Sequence, residues 1–409
     1  MVEISVLCRF VVFLVVVQCL ILFIVSTIFQ NHVISTFQKH VSTIQSWTLR
    51  SDKISDIRTV ITETDLAFMT GEIRNMTKSN PIYRRFNVEH VDAVLRRVNL
   101  FLLVSSGPGR VQRRDAIRKT WWKECFSSEK ITLACFFITD AGNNQSKFHL
   151  QLQRERKHHG DILFQPLSGG VEFGYRFIYH MLYAINNYYF DYVIRMDDDV
   201  FFCLSEFLTQ LPPVPLQRFH WGWIHCEKFL TRPEESVIMF SYDVIKDFLN
   251  QKPNKLWCHP FADQMIAMWL EALDMGHILR HDYRIHHHPV VQEMPTLKDR
   301  RYVCRDYLAI HGSSPKDVLN FWKTKSDLGP KDLYSIDRLT RSCPSTFSFD
   351  WNSLGIWQYR PKKCITKPVW NTRKHQTKDG MYVGRLGSSF NKAQKKNNKP
   401  LKKVYIKAV

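Results

Sequence analysis

The chain has 409 residues, of which 44% are hydrophobic, 13% aromatic and 23% charged, with only 16 glycines. That length holds one large or two ordinary globular domains, and the aromatic content excludes a chain that stays disordered for want of a core. The formal charge of +19 is concentrated: from Arg360 to the end, fifteen Lys and Arg face the single acid Asp379, a balance of +14. The rest is nearly neutral, so the charge describes a tail and does not indicate a nucleic-acid-binding core.

Residues 10–29 form the first decisive segment, a run in which only Gln18, Ser26 and Thr27 are appreciably polar and none is charged. At about 1.5 Å per residue this run crosses a hydrocarbon core about 30 Å thick. A cleaved signal peptide is the alternative, but its apolar region is usually shorter and ends in small residues, whereas this one ends in STIFQ. The expectation is an uncleaved signal-anchor with residues 1–9 as a short cytoplasmic tail and the bulk of the chain across the membrane. Residues 30–97 are polar, rich in Ser and Thr and broken by Asn80-Pro81, with helix-like spacing only around Ile54, Ile57 and Ile61. They read as a stem.

An oxidising compartment bears on the thiols. Cys8 and Cys19 lie in or beside the anchor; the other eight, from Cys125 to Cys364, are available for disulfides, and the sequence does not choose among their pairings. No C-x-x-C pair is present, which disfavours a structural zinc site. Two glycosylation sequons, at Asn75 and Asn144, fit the same placement.

From residue 98 the pattern becomes short apolar runs at 98–104, 132–138, 161–164, 192–196 and 237–240, separated by longer segments of helical character at 173–186 and 263–273. Continuous apolar strands alternating with helices predict an α/β domain, residues 98–325, whose sheet is covered on both faces. Residues 326–409 form a C-terminal extension that becomes Lys-rich after Cys364.

The sharpest feature is YVIRMDDDVFF at 192–202, an apolar strand running into Asp197, Asp198 and Asp199 and then resuming. Three adjacent carboxylates repel, so the arrangement calls for a cation or strong hydrogen-bond donors. On a strand Asp197 and Asp199 point together while Asp198 points away. Hard oxygen ligands suit magnesium, manganese or calcium, and such a site belongs at the carboxyl end of a strand. A solvated acidic turn is the plainer reading, and the apolar flanks argue against it.

Around these residues the chain resembles glycosyltransferase family 31, the β-1,3-galactosyltransferase and β-1,3-N-acetylglucosaminyltransferase family. RRDAIRKTW at 113–121 looks like its R-R-x-x-I-R-x-T-W, GDIL at 160–163 like its G-D-I-L, and RMDDDVF at 195–201 like its K-x-D-D-D-V-F. ADQM at 262–265 stands where the family has E-D-V, and His311, in IHGSSPKDVLNFW, opens a stretch similar to its H-x-x-x-P-x-x-M-x-x-x-W. The chain departs from the family at 168–176, at 237–241, where glycines are missing, and at Ala262, which replaces an acid.

The resemblance implies a GT-A (Rossmann-like) fold after a single N-terminal transmembrane helix, and a single-pass type II protein of the Golgi apparatus membrane. It also implies Mn2+ or Mg2+ as cofactor and inverting transfer from a UDP-sugar to an acceptor glycan on a glycoprotein or glycolipid. The expected linkage is β-1,3 with galactose first; N-acetylglucosamine transfer or a non-catalytic carbohydrate-binding relative are the alternatives. By resemblance Asp199 and His311 hold the metal, and Asp197 and Asp198 orient the ribose or the metal's waters. Asp263 is the candidate base, although Asp before an apolar run is also a helix cap. Arg113, Arg114 and Arg118 reach donor phosphates or else open a solvated helix. Trp221, Trp223 and Trp257 stack on sugars or fill the core. His286, His287 and His288 read as a surface run before a zinc site.

Overall fold

The computed structural model describes residues 61–128, 131–140, 148–167, 173–212, 214–227, 230–273, 278–287, 300–325 and 359–370. The expected anchor at 10–29, Asn144 and the basic tail beyond 370 lie outside them. Among the described residues no helix is long and apolar enough to cross a membrane.

Strand β1 (Arg96–Ser105) carries Leu100 through Val104 with no exposure at all. Such a run, apolar on both faces, is stable only between two covering layers. It pairs in parallel with β2 (Leu133–Asp140) on one side and β4 (Tyr188–Asp197) on the other, and β3 (Ile162–Gln165) extends the parallel half beyond β2. Helices α2 (Val111–Arg118), α3 (His149–His159) and α4 (Phe173–Asn187) make the crossovers. The second half is mixed. After β5 (Phe201–Phe202) and α5 (Leu204–Thr209), β6 (Phe219–Glu227) and β7 (Leu230–Ser241) form an antiparallel pair whose β7 lies against β4. Beyond α6 (Tyr242–Asn250), β8 (Trp257–Cys258) and α7 (Ala262–Leu273), β9 (Ile278–His281) closes the edge in parallel with β6, giving the order β3-β2-β1-β4-β7-β6-β9. The chain moves outward from β1 to β3 and then returns to the far side of β1 as β4, so the strand order reverses between β1 and β4. In open α/β sheets a ligand crevice forms outside that reversal, at the carboxyl ends.

One core layer is built around α4, α6 and α7 and the other around α2, α5 and α9 (Pro315–Thr324), which follows β10 (Ile285–His286), α8 (Val303–Asp306) and β11 (Ala309–Ile310). Helix α4 is buried on nearly every side, and Gly174 on it is obligatory: a Cβ there would stand 2.2 Å from the carbonyl oxygen of His259.

Residues 62–97, expected as part of the stem, fold with the domain. Helix α1 (Glu63–Ser79) starts on a capping box of Thr62 and Asp65 and buries Leu66, Thr70, Ile73 and Thr77, while Ile82, Tyr83 and Phe86 enter the same core. The compact unit therefore begins at Thr62 rather than at residue 98. Its buried stripe alternates Leu and Ile with Thr, so composition alone reads it as polar. Asn75 sits exposed on this helix. At the other end, residues 359–370 fold back as a strap: β12 (Lys362–Lys363) pairs with β8, and Cys364 is bonded to Cys258. Disulfides also join Cys125 to Cys135 and Cys203 to Cys304.

Candidate active site

Strand register brings the acidic tip to the reversal point. Ser105 at the end of β1 lies opposite Asp197 at the end of β4. Beyond it the backbone turns, and Asp198 points away from its neighbours into a buried pocket. There its carboxylate accepts from the Ser106 hydroxyl at 2.8 Å and from Arg110 at 2.7 Å, with Arg113 at 3.4 Å. Asp197 and Asp199 face His311 instead. Antiparallel pairing of β11 with β5 sets Ile310 beside Phe201 and so delivers His311 to the tip. Gly312 takes a φ of 76°, in the left-handed region that favours glycine, and Ser313 N–H then donates to the Asp199 carbonyl at 2.8 Å.

Ligand atoms of Asp197, Asp199 and His311 lie within 4.8 Å of one another. His311 Nε2 stands 3.4 Å from Asp199 Oδ1 and 4.0 Å from Asp197 Oδ2. Its Nδ1 is 2.9 Å from the carbonyl oxygen of His287. A carbonyl only accepts, so Nδ1 carries the hydrogen and Nε2 turns its lone pair toward the carboxylates once the second proton leaves. That is the arrangement of a histidine oriented for a metal, and two carboxylates with one imidazole form a donor set able to hold a divalent cation. Burial disfavours the His311 cation, but Asp199 and Asp197 outweigh it and push the imidazole up to about 10. Burial likewise opposes ionisation of Asp199, yet His311 and Arg113 hold its carboxyl far below the usual range. Asp197 is raised by burial against the pull of Arg195, whose guanidinium lies 2.8 Å away.

The arginines divide. Arg113 reaches Asp199 at 2.9 Å and stands at the tip together with Arg110, which the motif reading passed over because it precedes the matched block. Arg118 does not join them. It makes paired 2.8 Å bonds to Asp161 and one of 2.7 Å to Glu155, with its side chain 9% exposed. The same Glu155 accepts from Nε and Nη2 of fully buried Arg114, whose Nη1 goes to the Ser106 hydroxyl and the Gly107 carbonyl. The geometry thus gives Arg118 a structural partner set in place of the expected phosphate contact.

Asp263 lies in the first turn of α7, where its Oδ1 accepts from the Gln264 N–H at 2.7 Å and its Oδ2 pairs with Arg232 of β7. It does not cap the helix. Glu235 does so from β7, its carboxylate accepting from the N–H groups of Ala262 at 2.9 Å and Asp263 at 3.3 Å. Burial raises Asp263, Arg232 opposes and Glu234 adds to the rise. Burial and the Asp263 charge push Glu235 up to about 8, and Asp197 contributes, so Glu235 links the base candidate to the acidic tip electrostatically. Glu234 goes the other way, to about 2, because the His225 bond at 2.9 Å and Arg232 overcome its burial. Sequence reasoning missed both glutamates. The signal was present in RPEE at 232–235, a base and two acids at the head of an apolar strand.

Of the tryptophans, Trp221 is core, its indole N–H bound to Asp282 at 2.9 Å; Trp257 lies under Lys363; Trp223 is half-buried beside His287. His286 belongs to β10, and His288 lies outside the described residues.

A family profile described as Galactosyltransferase matches residues 112–220, the stretch that contains the arginine block and the acidic tip. Over 247 residues, 54% of the chain and 71% of the relative, the chain is 26% identical to Beta-1,3-galactosyltransferase 6 of Mus musculus. Over 246 residues, 54% of the chain and 34% of the relative, it is 28% identical to Hydroxyproline O-galactosyltransferase GALT2 of Arabidopsis thaliana. At such modest identity it is the agreement of profile, relatives and motifs on one stretch, seated at the sheet's reversal point, that supports membership of the galactosyltransferase family, glycosyltransferase family 31, and with it a hexosyltransferase.

Proposed function

We propose that the protein transfers galactose from UDP-galactose to an acceptor glycan, with inversion, in β-1,3 linkage and with dependence on Mn2+ or Mg2+, as a single-pass type II protein of the Golgi membrane. The observation that carries this reading is the convergence of Asp197, Asp199 and His311 within 4.8 Å at the carboxyl edge of the sheet. A divalent ion held there supplies charge neutralisation for a departing diphosphate. Arg113 and Arg110 rim the same tip and offer guanidinium forks to phosphate oxygens. Asp263 accepts the proton of the acceptor hydroxyl, and Arg232 favours its ionised form and fixes its direction. The three disulfides among the described residues and the apolar run at 10–29 support the secretory placement.

The test is UDP release by the full-length protein from UDP-galactose, UDP-glucose, UDP-N-acetylglucosamine and UDP-N-acetylgalactosamine, with Mn2+ or with EDTA. Mn2+-dependent release fastest from UDP-galactose is expected. Release unaffected by chelation overturns the metal assignment, and preference for another donor overturns the sugar.

A further inference from the structure

The sheet edge beside the acidic tip carries an aromatic corner that the proposed chemistry does not use. Tyr283, in the turn after β9, is 59% exposed, although it is a large ring in an otherwise well-covered region. Its ring meets Trp223 edge-on, with centroids 5.8 Å apart and an interplanar angle of 87°, and meets His281 at 4.2 Å and 83°. Behind Trp223, His287 stacks at 4.1 Å.

This corner is rigid. Asp282 fixes the backbone beside Tyr283 by accepting from the Arg284 N–H at 3.0 Å, from the Arg284 guanidinium at 2.7 Å and 2.9 Å, and from the Trp221 indole at 2.9 Å. His281 Nδ1 accepts from the Ile224 N–H at 2.9 Å, which locks the ring under Tyr283. The corner is also tied to the acidic tip, because the residue that stacks on Trp223 is the one whose carbonyl holds His311 Nδ1. An exposed aromatic ring costs solvation free energy and, when held this firmly, is poised for a ligand with an apolar face and polar edges. A pyranose has that form: axial C–H groups on one face and hydroxyls around the rim.

We propose that Tyr283 and Trp223 form the subsite for a hexopyranose or pentopyranose unit of the acceptor, whose C–H face lies on the Tyr283 ring while its edge meets Trp223. The inference rests on the glycosyltransferase reading and extends it to the recognition of the acceptor. Perpendicular rings accept one sugar at one angle, so the corner sets which hydroxyl is presented to Asp263.

Saturation-transfer NMR of the full-length protein in Mg2+ buffer, with the methyl β-glycosides of galactose, glucose, N-acetylglucosamine and xylose, tests this, and calorimetry of UDP with Mn2+ runs alongside. The wild type is expected to saturate the C–H face of at least one glycoside. Tyr283→Ala and Trp223→Ala weaken that binding by about tenfold, and Tyr283→Phe retains it, with UDP affinity the same in all. Absence of glycoside binding by the wild type, or wild-type binding by Tyr283→Ala, overturns the subsite. Failure of UDP to bind with Mn2+ overturns the underlying reading instead, so the two failures are separable. A Trp223→Ala protein that loses UDP binding as well shows a scaffold role and also overturns the proposal.

Discussion

Metal binding at the acidic tip must displace a proton, and this makes affinity a function of pH. Without metal, His311 is pushed up to about 10 by Asp199 and Asp197, so at pH 7 its Nε2 is protonated. An ion that takes Nε2 releases that proton. Three pH units at about 1.36 kcal/mol each set a penalty of about 4 kcal/mol at pH 7, falling as pH approaches the imidazole's own value. The apparent Mn2+ association constant should therefore rise about tenfold per pH unit between pH 6.5 and 8.5, with one proton released per ion. Calorimetric titration at several pH values, in buffers of different ionisation enthalpy, measures both quantities. Affinity that stays flat over this range, or no proton release, would refute the placement of His311 in the metal set. The metal-free protein shows the reverse dependence. A histidine whose folded value lies above its unfolded value stabilises the fold fully below about 6.5, and that contribution is lost as pH rises toward 10. Chelated protein should thus lose thermal stability across the window in which Mn2+ binds better.

Asp263→Asn should lower turnover by about 10² to 10⁴-fold with UDP affinity retained; steady-state kinetics decides, and a variant near wild-type rate removes the base assignment. Asp199→Ala should abolish the Mn2+ dependence of UDP binding, whereas equal UDP affinity with and without Mn2+ in the wild type contradicts the metal role. Arg118→Met should destabilise by about 3 to 5 kcal/mol, since it leaves Asp161 and Glu155 short of a buried partner, and denaturant unfolding measures it; a stable variant with a raised donor KM would return Arg118 to the phosphate site. Glu235, raised to about 8, binds a proton in the fold that the unfolded chain releases near 4.5, so stability declines from pH 4.5 toward 8. Glu235→Gln should flatten that decline in thermal melts, and an unchanged slope would show that Glu235 is not the group responsible.

The parallel half of the sheet was legible in the sequence because its strands are buried on both faces and therefore read as uninterrupted apolar runs. Strands β1 to β4 and the helices α4 and α7 fall within a few residues of the apolar blocks. Of the other half, only the apolar end of β7 at 237–240 was legible; β6, β9 and the head of β7 were hidden, since they carry Trp223, His225, Arg232, Glu234 and His281 and have no simple alternation. Helix α1 was hidden for a different reason: its buried face mixes Leu and Ile with Thr, and its value becomes visible only when Asn186 of α4 meets Thr77. At the site, adjacency in sequence revealed Asp197 to Asp199, and family spacing pointed to His311 and Asp263. Glu235 could not be found that way. It stands 27 positions before the backbone N–H of Ala262 that it binds, and only strand β7 running beside α7 joins them.

The folded-back strap has a practical corollary for anyone expressing this protein. Tyr175 donates its hydroxyl to the Pro368 carbonyl, His259 meets the Tyr359 carbonyl and Cys364 is bonded to Cys258, the last two tethering residues that lie four and five positions before Asp263. A fragment cut after the last turn of α9 would retain every family motif and still leave a bare thiol and an untethered hinge next to the proposed base. Soluble fragments should run past Trp370 and be produced where thiols oxidise; shorter ones are expected to yield inactive protein for reasons unrelated to the chemistry under test.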